Sequence, residues 1–291
     1  MKHLIGILSN AYIANNEFGI DFEEHKKQGI DALDFQDLMS ASKEPFLFRL
    51  PEHSFISYFQ RLKKELDKYN LKVVQLHSFW DPEYEHSHPE EDVFVYYEKA
   101  VVAASILEAK YVVAHSVPVK GHYLWEKVDC ALLMKTNKEF FNRLLHIAKK
   151  YNVSIALENL PCLEVKEYFS PSGTLEFVKE MSHPNLVMCL DTGHFNMFKE
   201  NIYDFLLKGK GIVKCLHIHD NNGYTDSHSI PHLGTFDWEM FVKGLRDSGF
   251  DGVLSLETKI PTSGLSDKAY KHLNEGLITI IKDMRKKLDN E

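Results

Sequence analysis

The stretch VMCLDTGH, residues 187–194, is a short apolar run that ends on an aspartate and a histidine. Three other stretches end in the same manner: SIALEN at 154–159 on Glu158, VKCLHIHD at 213–220 on His217, and GVLSLET at 252–258 on Glu257. Each run is apolar on both faces, which is how a parallel strand covered by helices reads. An ionisable side chain at the end of such a strand is costly to bury unless it is paired or bound to metal. Repeated on successive strands, the pattern gathers Glu158, Asp191, His217 and Glu257 at the C-terminal mouth of an α/β barrel as a metal site.

Four more strand-like runs precede these, at 3–10, 32–38, 72–79 and 111–117, and the last four extend over 153–160, 186–194, 213–220 and 252–258. Amphipathic helices lie between them. Phe55, Phe59, Leu62, Leu66 and Tyr69 recur at helical spacing in 54–70, as do Phe140, Phe141, Leu144, Leu145 and Ala148 in 132–151. A final helix over about 266–288 opens at Ser266 or Asp267 as N-cap. Eight such units predict an α/β fold, a single (β/α)8 TIM barrel occupying residues 1–291 as one domain. The competing doubly wound sheet normally carries a glycine-rich phosphate turn after its first strand, and ILSNAYIAN at 7–15 has none.

Bulk properties narrow the partners. The chain has 291 residues and 44% hydrophobic content, and no run is apolar and long enough for a membrane helix. MKHLIGILSN lacks the apolar region of a signal peptide, so a cytoplasmic location is expected. A net charge of -8 provides no overall basic field for nucleic acid. The four cysteines, Cys130, Cys162, Cys189 and Cys215, form no metal or redox motif, and Cys189 and Cys215 read as inert buried thiols.

Further polar residues stand at strand ends: His77, His115, Asn159, His194, His219 and Asp220. His77 alone reads as a structural histidine, and Asp220 as a turn cap. Trp80 divides evenly between a rim aromatic and a platform for a sugar ring. His86 and His88 read as solvated loop residues. Lys120, Lys199 and Lys259, the cations near the motif loops, read as ordinary surface lysines. Thr262, Ser263 and Gly264 offer backbone amides to a phosphate. The acidic and aromatic segment 79–97 is long enough for a lid or an oligomer contact.

The ordered set LEN, DTGHFN, HIHDN, DSH and LET resembles the xylose isomerase-like barrel superfamily, which includes sugar isomerases, ketose 3-epimerases, inosose dehydratases and apurinic-site endonucleases. The resemblance implies one divalent metal held by Glu158, Asp191, His217 and Glu257, with His194 contacting substrate. It implies for the endonuclease branch a trinuclear zinc cluster with His77, His115, His194, Asp226 and His228 as added ligands. In a sugar enzyme His77, His115, Trp80, Asp226 and His228 would line the substrate site instead. One departure is IPHLGTFDW at 230–238, where His232 takes the place of the first glycine of a Gly-x-Gly turn and Gly234 the second.

The expected function is therefore a divalent-metal-dependent isomerase or epimerase of a small sugar or polyol. Strands 5 and 8 are expected to lie across the barrel, so that Glu158 and Glu257 face each other as two bases beside a carbonyl. A related dehydratase begins with the same proton abstraction. The alternatives are an apurinic-endonuclease-like phosphodiesterase with three metals, and a non-enzymatic metal-binding barrel. The mixed oxygen and nitrogen set suits Mn, Mg, Co or Zn. Asp220 or Asn159 is expected to orient His217. The expected partner is a small carbohydrate, without membrane or nucleic acid, and a homo-oligomer is compatible with the sequence.

Overall fold

The computed structural model describes residues 3–40, 47–81, 85, 87–88, 92–124, 126–260 and 264–290. His86, Thr262, Ser263 and part of the segment 79–97 lie outside the described residues. Eight parallel strands follow one another: β1 (Ile5–Leu8), β2 (Ala32–Phe35), β3 (Lys72–His77), β4 (Tyr111–Ala114), β5 (Ser154–Glu158), β6 (Leu186–Asp191), β7 (Val213–His217) and β8 (Leu254–Leu256). Their order in the sheet is β7-β6-β5-β4-β3-β2-β1-β8. Ile218 joins the two ends: its amide donates to Ser255 O at 2.8 Å and its carbonyl accepts from Glu257 N at 3.0 Å. The sheet is thereby a nearly closed (β/α)8 barrel.

Helices follow the strands. They are α1 (Phe22–Lys27), α2 (Glu52–Lys68), α3 (Phe94–Leu107), α4 (Cys130–Lys150), α5 (Lys166–Phe169), α6 (Pro171–Met181), α7 (Thr192–Phe198), α8 (Ile202–Lys208), α9 (Trp238–Ser248) and α10 (Asp267–Asp289). The choice at the last helix falls on Ser266, whose side chain caps Ala269 N. Among the described residues no helix is long and apolar enough to cross a membrane. The strands are shorter than the apolar runs suggest. In particular the run at 186–194 stops at Asp191, whose side chain caps α7 by accepting from His194 N. Asp191 thus ends a strand and starts a helix, and His194 sits in the first helical turn.

The core divides into two layers. Most buried apolar side chains pack between sheet and helices, while Val113, Ala156, Cys189 and Cys215 form a separate cluster. Successive strand residues alternate faces, so these four point the same way as His115, Glu158, Asp191 and His217, each two residues further on. They form a floor inside the barrel, one layer beneath the polar mouth.

Candidate metal centre

One ligand atom from each of Glu158, Asp191, His217 and Glu257 lies within 4.8 Å of those of the other three, and all four residues are buried. His217 is central. Its Nε2 lies 2.9 Å from Asp34 Oδ2, and Asp34 is fixed by a 2.6 Å hydrogen bond from Gln75 Nε2. A carboxylate only accepts, so Nε2 carries the proton and Nδ1 presents a lone pair. Nδ1 has no hydrogen-bond partner, yet it stands 3.1 Å from Glu158 Oε2 and 3.2 Å from Glu257 Oε2. A lone pair facing two carboxylate oxygens in a buried pocket is repulsive unless a proton or a metal ion lies between them. The donor set of three carboxylates and one imidazole fits a divalent ion.

The electrostatics agree. Burial opposes charging His217, but the carboxylates of Glu257, Glu158 and Asp34 outweigh it and hold the imidazole well above its ordinary range. Burial would raise Glu158, but His217 and His115 pull it well below the usual carboxylate range. Asp191 is lowered in the same manner, against burial, by His194 and His219. Without an ion the pocket attracts protons, as a site built for positive charge does.

Two further groups flank this centre. His77 Nδ1 donates to Ser78 O at 2.9 Å, which turns Nε2 toward His115 Nε2 at 3.2 Å and Glu158 Oε2 at 3.6 Å. His115 Nε2 is 3.1 Å from the same Glu158 oxygen, and burial lowers its pKa to about 4. On the other side His194 Nδ1 donates to Asn159 O at 2.8 Å, and His228 Nδ1 donates to Glu257 O at 2.9 Å. Their Nε2 atoms both face Asp226 Oδ2, at 3.3 and 3.2 Å. Despite the burial that opposes it, Asp191 and then Asp226 and Glu158 raise His194 to about 10. Trp80 lies edge-on to His115, with ring centroids 4.3 Å apart. Every candidate site residue therefore belongs to one connected constellation at the barrel mouth.

The model of the xylose isomerase-like TIM barrel family matches residues 22–278. The chain belongs to that family. An uncharacterised protein of Methanocaldococcus jannaschii is 33% identical over 164 residues, 55% of this chain and 54% of the relative, so the chain spans about half the length of that curated relative. Among solved structures, D-psicose 3-epimerase in the presence of D-fructose superposes with a TM-score of 0.73 at 16% identity, with 98% of this chain and 99% of the other covered. The IolI protein with a bound zinc atom has a TM-score of 0.69 at 21% identity, with 98% of both chains covered. At these identities the two structures speak to the fold.

Several details depart from the sequence reading. Strands β5 and β8 are three places apart in the barrel, with β6 and β7 between them, rather than across from each other. Glu158 and Glu257 nevertheless converge, because both side chains reach inward to His217 Nδ1. The residue that orients His217 is Asp34, not Asp220 or Asn159. Asp220 instead anchors the loop after β7. It accepts from the amides of His232 and Gly234 at 3.0 Å, from Phe236 N at 3.2 Å and from Trp238 Nε1 at 2.8 Å. Asn159 braces Asp191 through its backbone, accepting from Asp191 N at 3.0 Å and donating to Asp191 O at 3.1 Å.

The anchored loop explains the altered glycine pair. His232 holds φ 73°, a conformation that favours glycine, and its ring lies 5.6 Å from Trp238. A side chain is tolerated there at a cost in strain. At Gly234 a Cβ would meet Asn221 O at 2.1 Å and Asp220 Oδ1 at 2.2 Å, so only glycine fits.

Three participants lack a role in the sequence reading. Asp34 lies within the apolar run ALDF, where the cost of burying a carboxylate is a signal for it. Gln36 donates to Glu257 Oε1 at 2.7 Å. His219 Nε2 lies 2.8 Å from Asp191 Oδ2, and its ring stacks on His228 with centroids 4.0 Å apart.

Proposed function

We propose that the protein is a divalent-metal-dependent isomerase or epimerase of a small sugar or polyol. The observation that carries this reading is the convergence of Glu158 and Glu257 on His217 Nδ1, at 3.1 and 3.2 Å, in a buried pocket. Glu158, Asp191, His217 and Glu257 would hold the ion, which when bound polarises a carbonyl and its neighbouring hydroxyl. Glu158 and Glu257 approach from two strands and exchange a proton with the carbon beside that carbonyl, one removing it and the other returning it. Burial excludes water that would otherwise quench the exchange. His194 and His228 place ring nitrogens over the same pocket, where sugar hydroxyls are bound. The likeness to D-psicose 3-epimerase supports a ketose as the first substrate class to test. The test is turnover of a panel of ketoses and inososes by protein loaded with Mn, Co, Mg or Zn. No turnover with any of these pairs overturns the reading.

A second reading rests on a separate observation. His77, His194 and His228 each donate one ring nitrogen to a backbone carbonyl and aim the other at a shared carboxylate, Glu158 for His77 and Asp226 for the other two. That arrangement fits metal positions on both sides of the central one, as a trinuclear phosphodiesterase requires. Metal content per chain, measured on protein purified without chelator or added metal, separates the two. One ion supports the isomerase or epimerase. Three zinc ions support the phosphodiesterase, and cleavage of an abasic-site duplex is then the assay.

A further inference from the structure

We propose that Cys189 is a soft donor to the metal centre, so that thiophilic divalent ions are held by Glu158, Cys189 and His217 while hard ions are held by the three carboxylates and His217. The inference rests on the reading of this pocket as a metal centre and adds a selectivity to it. Cys189 lies on β6 two residues before Asp191, in the floor beneath the mouth. Its Cα is in register with Glu158 on β5 and with Cys215 on β7. Its Sγ, a Glu158 oxygen and a His217 nitrogen all lie within 4.8 Å of one another. Ligands on one tetrahedral ion with bonds of about 2.0–2.3 Å are separated by roughly 3–4 Å, so small side-chain rotations bring these three onto a common ion.

A second observation points to the same place. His217 Nδ1 is fully buried, has no hydrogen-bond partner, and cannot turn away while Asp34 holds Nε2. Cys215 is the internal control: it is as buried as Cys189, yet among the described residues it joins no group of potential ligands. A thiol buried beside a carboxylate keeps its proton until an ion arrives. When a thiophilic ion binds, the S–H bond breaks, a sulfur–metal bond forms, and the proton passes to the buffer. Thiolate prefers zinc, cobalt and cadmium, whereas carboxylate suits magnesium and manganese.

Cobalt gives a readout independent of turnover. Metal-free protein is titrated with Co²⁺ and followed by near-ultraviolet absorption, alongside the variants Cys189→Ser, Cys189→Ala and Cys215→Ala. The expected result is a thiolate-to-cobalt charge-transfer band in the unaltered protein and in Cys215→Ala, lost in both Cys189 variants. Mn²⁺ binding, followed by its paramagnetic resonance signal, is expected to survive in the Cys189 variants, which also shows that their sites remain folded. Co²⁺ bound without the band, or with a band that persists in Cys189→Ala, overturns the role of Cys189 and leaves the metal centre standing. Failure of the unaltered protein to bind either ion overturns both.

Discussion

Asp34 and His217, on strands β2 and β7, meet inside the barrel at 2.9 Å, with both side chains fully buried. The contact assigns the tautomer of His217 and so decides which nitrogen faces Glu158 and Glu257. Partners of this kind typically contribute about 10–100-fold to metal affinity. Asp34→Asn is therefore expected to weaken binding of Mn²⁺ or Zn²⁺ within that range while preserving the fold, because Gln75 can still hydrogen-bond the new side chain. Calorimetric titration with circular dichroism of the same sample checks it. Unchanged affinity in a folded variant would show that His217 is oriented by something else.

The two glutamates carry the second prediction. Glutamine keeps the size of the side chain but is not a base. Glu158→Gln and Glu257→Gln are each expected to lower kcat by roughly 10²–10⁴-fold on whichever ketose is turned over. Because both residues are also candidate ligands, metal content is measured on the same preparations. Exchange of substrate hydrogen with deuterated solvent then distinguishes the two bases. A variant that has lost only the returning base still removes the proton and washes the label in. If either variant turns over at the unaltered rate, the two-base reading fails.

The barrel and the four central residues were legible because burying an ionisable group at a strand end is costly, and eight apolar runs showed where those ends lie. Asp34 was harder to see because it stands inside its strand and not at the end. Its partner is 183 residues away, three strands round the barrel, and only the closed sheet brings them together. The loop after β7 shows the same limit. Nothing local marks Asp220 as the hub of a loop running to Trp238, since three of its donors are backbone amides that have no sequence signature and the fourth, the Trp238 indole, lies 18 residues on. Cys189 is the reverse case: its burial was legible, but its nearness to Glu158 and His217 depends on the register of three strands.

Gly193 tests the packing around Asp191. A Cβ at this position would lie 2.0 Å from His219 Cε1 and 2.4 Å from Nδ1. The ring cannot retreat freely, since it stacks on His228 and is tied to Asp191 at 2.8 Å. Gly193→Ala is expected to destabilise the protein by about 1–3 kcal/mol, the usual cost of overpacking. Removing the obstructing ring should recover part of that loss. Denaturant unfolding of Gly193→Ala, His219→Ala and the double variant forms a cycle, and the double variant is expected to be less destabilised than the sum of the singles. Strict additivity would mean that the clash is relieved elsewhere.

Glu85 gives the protein a pH dependence outside the metal centre. Burial, with the nearby Asp81 carboxylate, raises its pKa to about 7, and its charge would also oppose ionisation of the buried Tyr97. The folded value is above the unfolded one of about 4.3. The fold therefore keeps a proton that the unfolded chain gives up, and stability falls as pH rises through that window. Below about pH 4 both states are protonated and the contribution is fully present. Above the folded value it is lost. Glu85→Gln mimics the protonated side chain at every pH. It is expected to match the unaltered protein near pH 4.5 and to exceed it at pH 8 by on the order of 3–4 kcal/mol, because each tenfold difference in proton affinity between the two states is worth about 1.4 kcal/mol. Urea unfolding of both proteins across this range measures the difference. A difference that stays constant with pH would mean that Glu85 does not titrate in the window its burial sets.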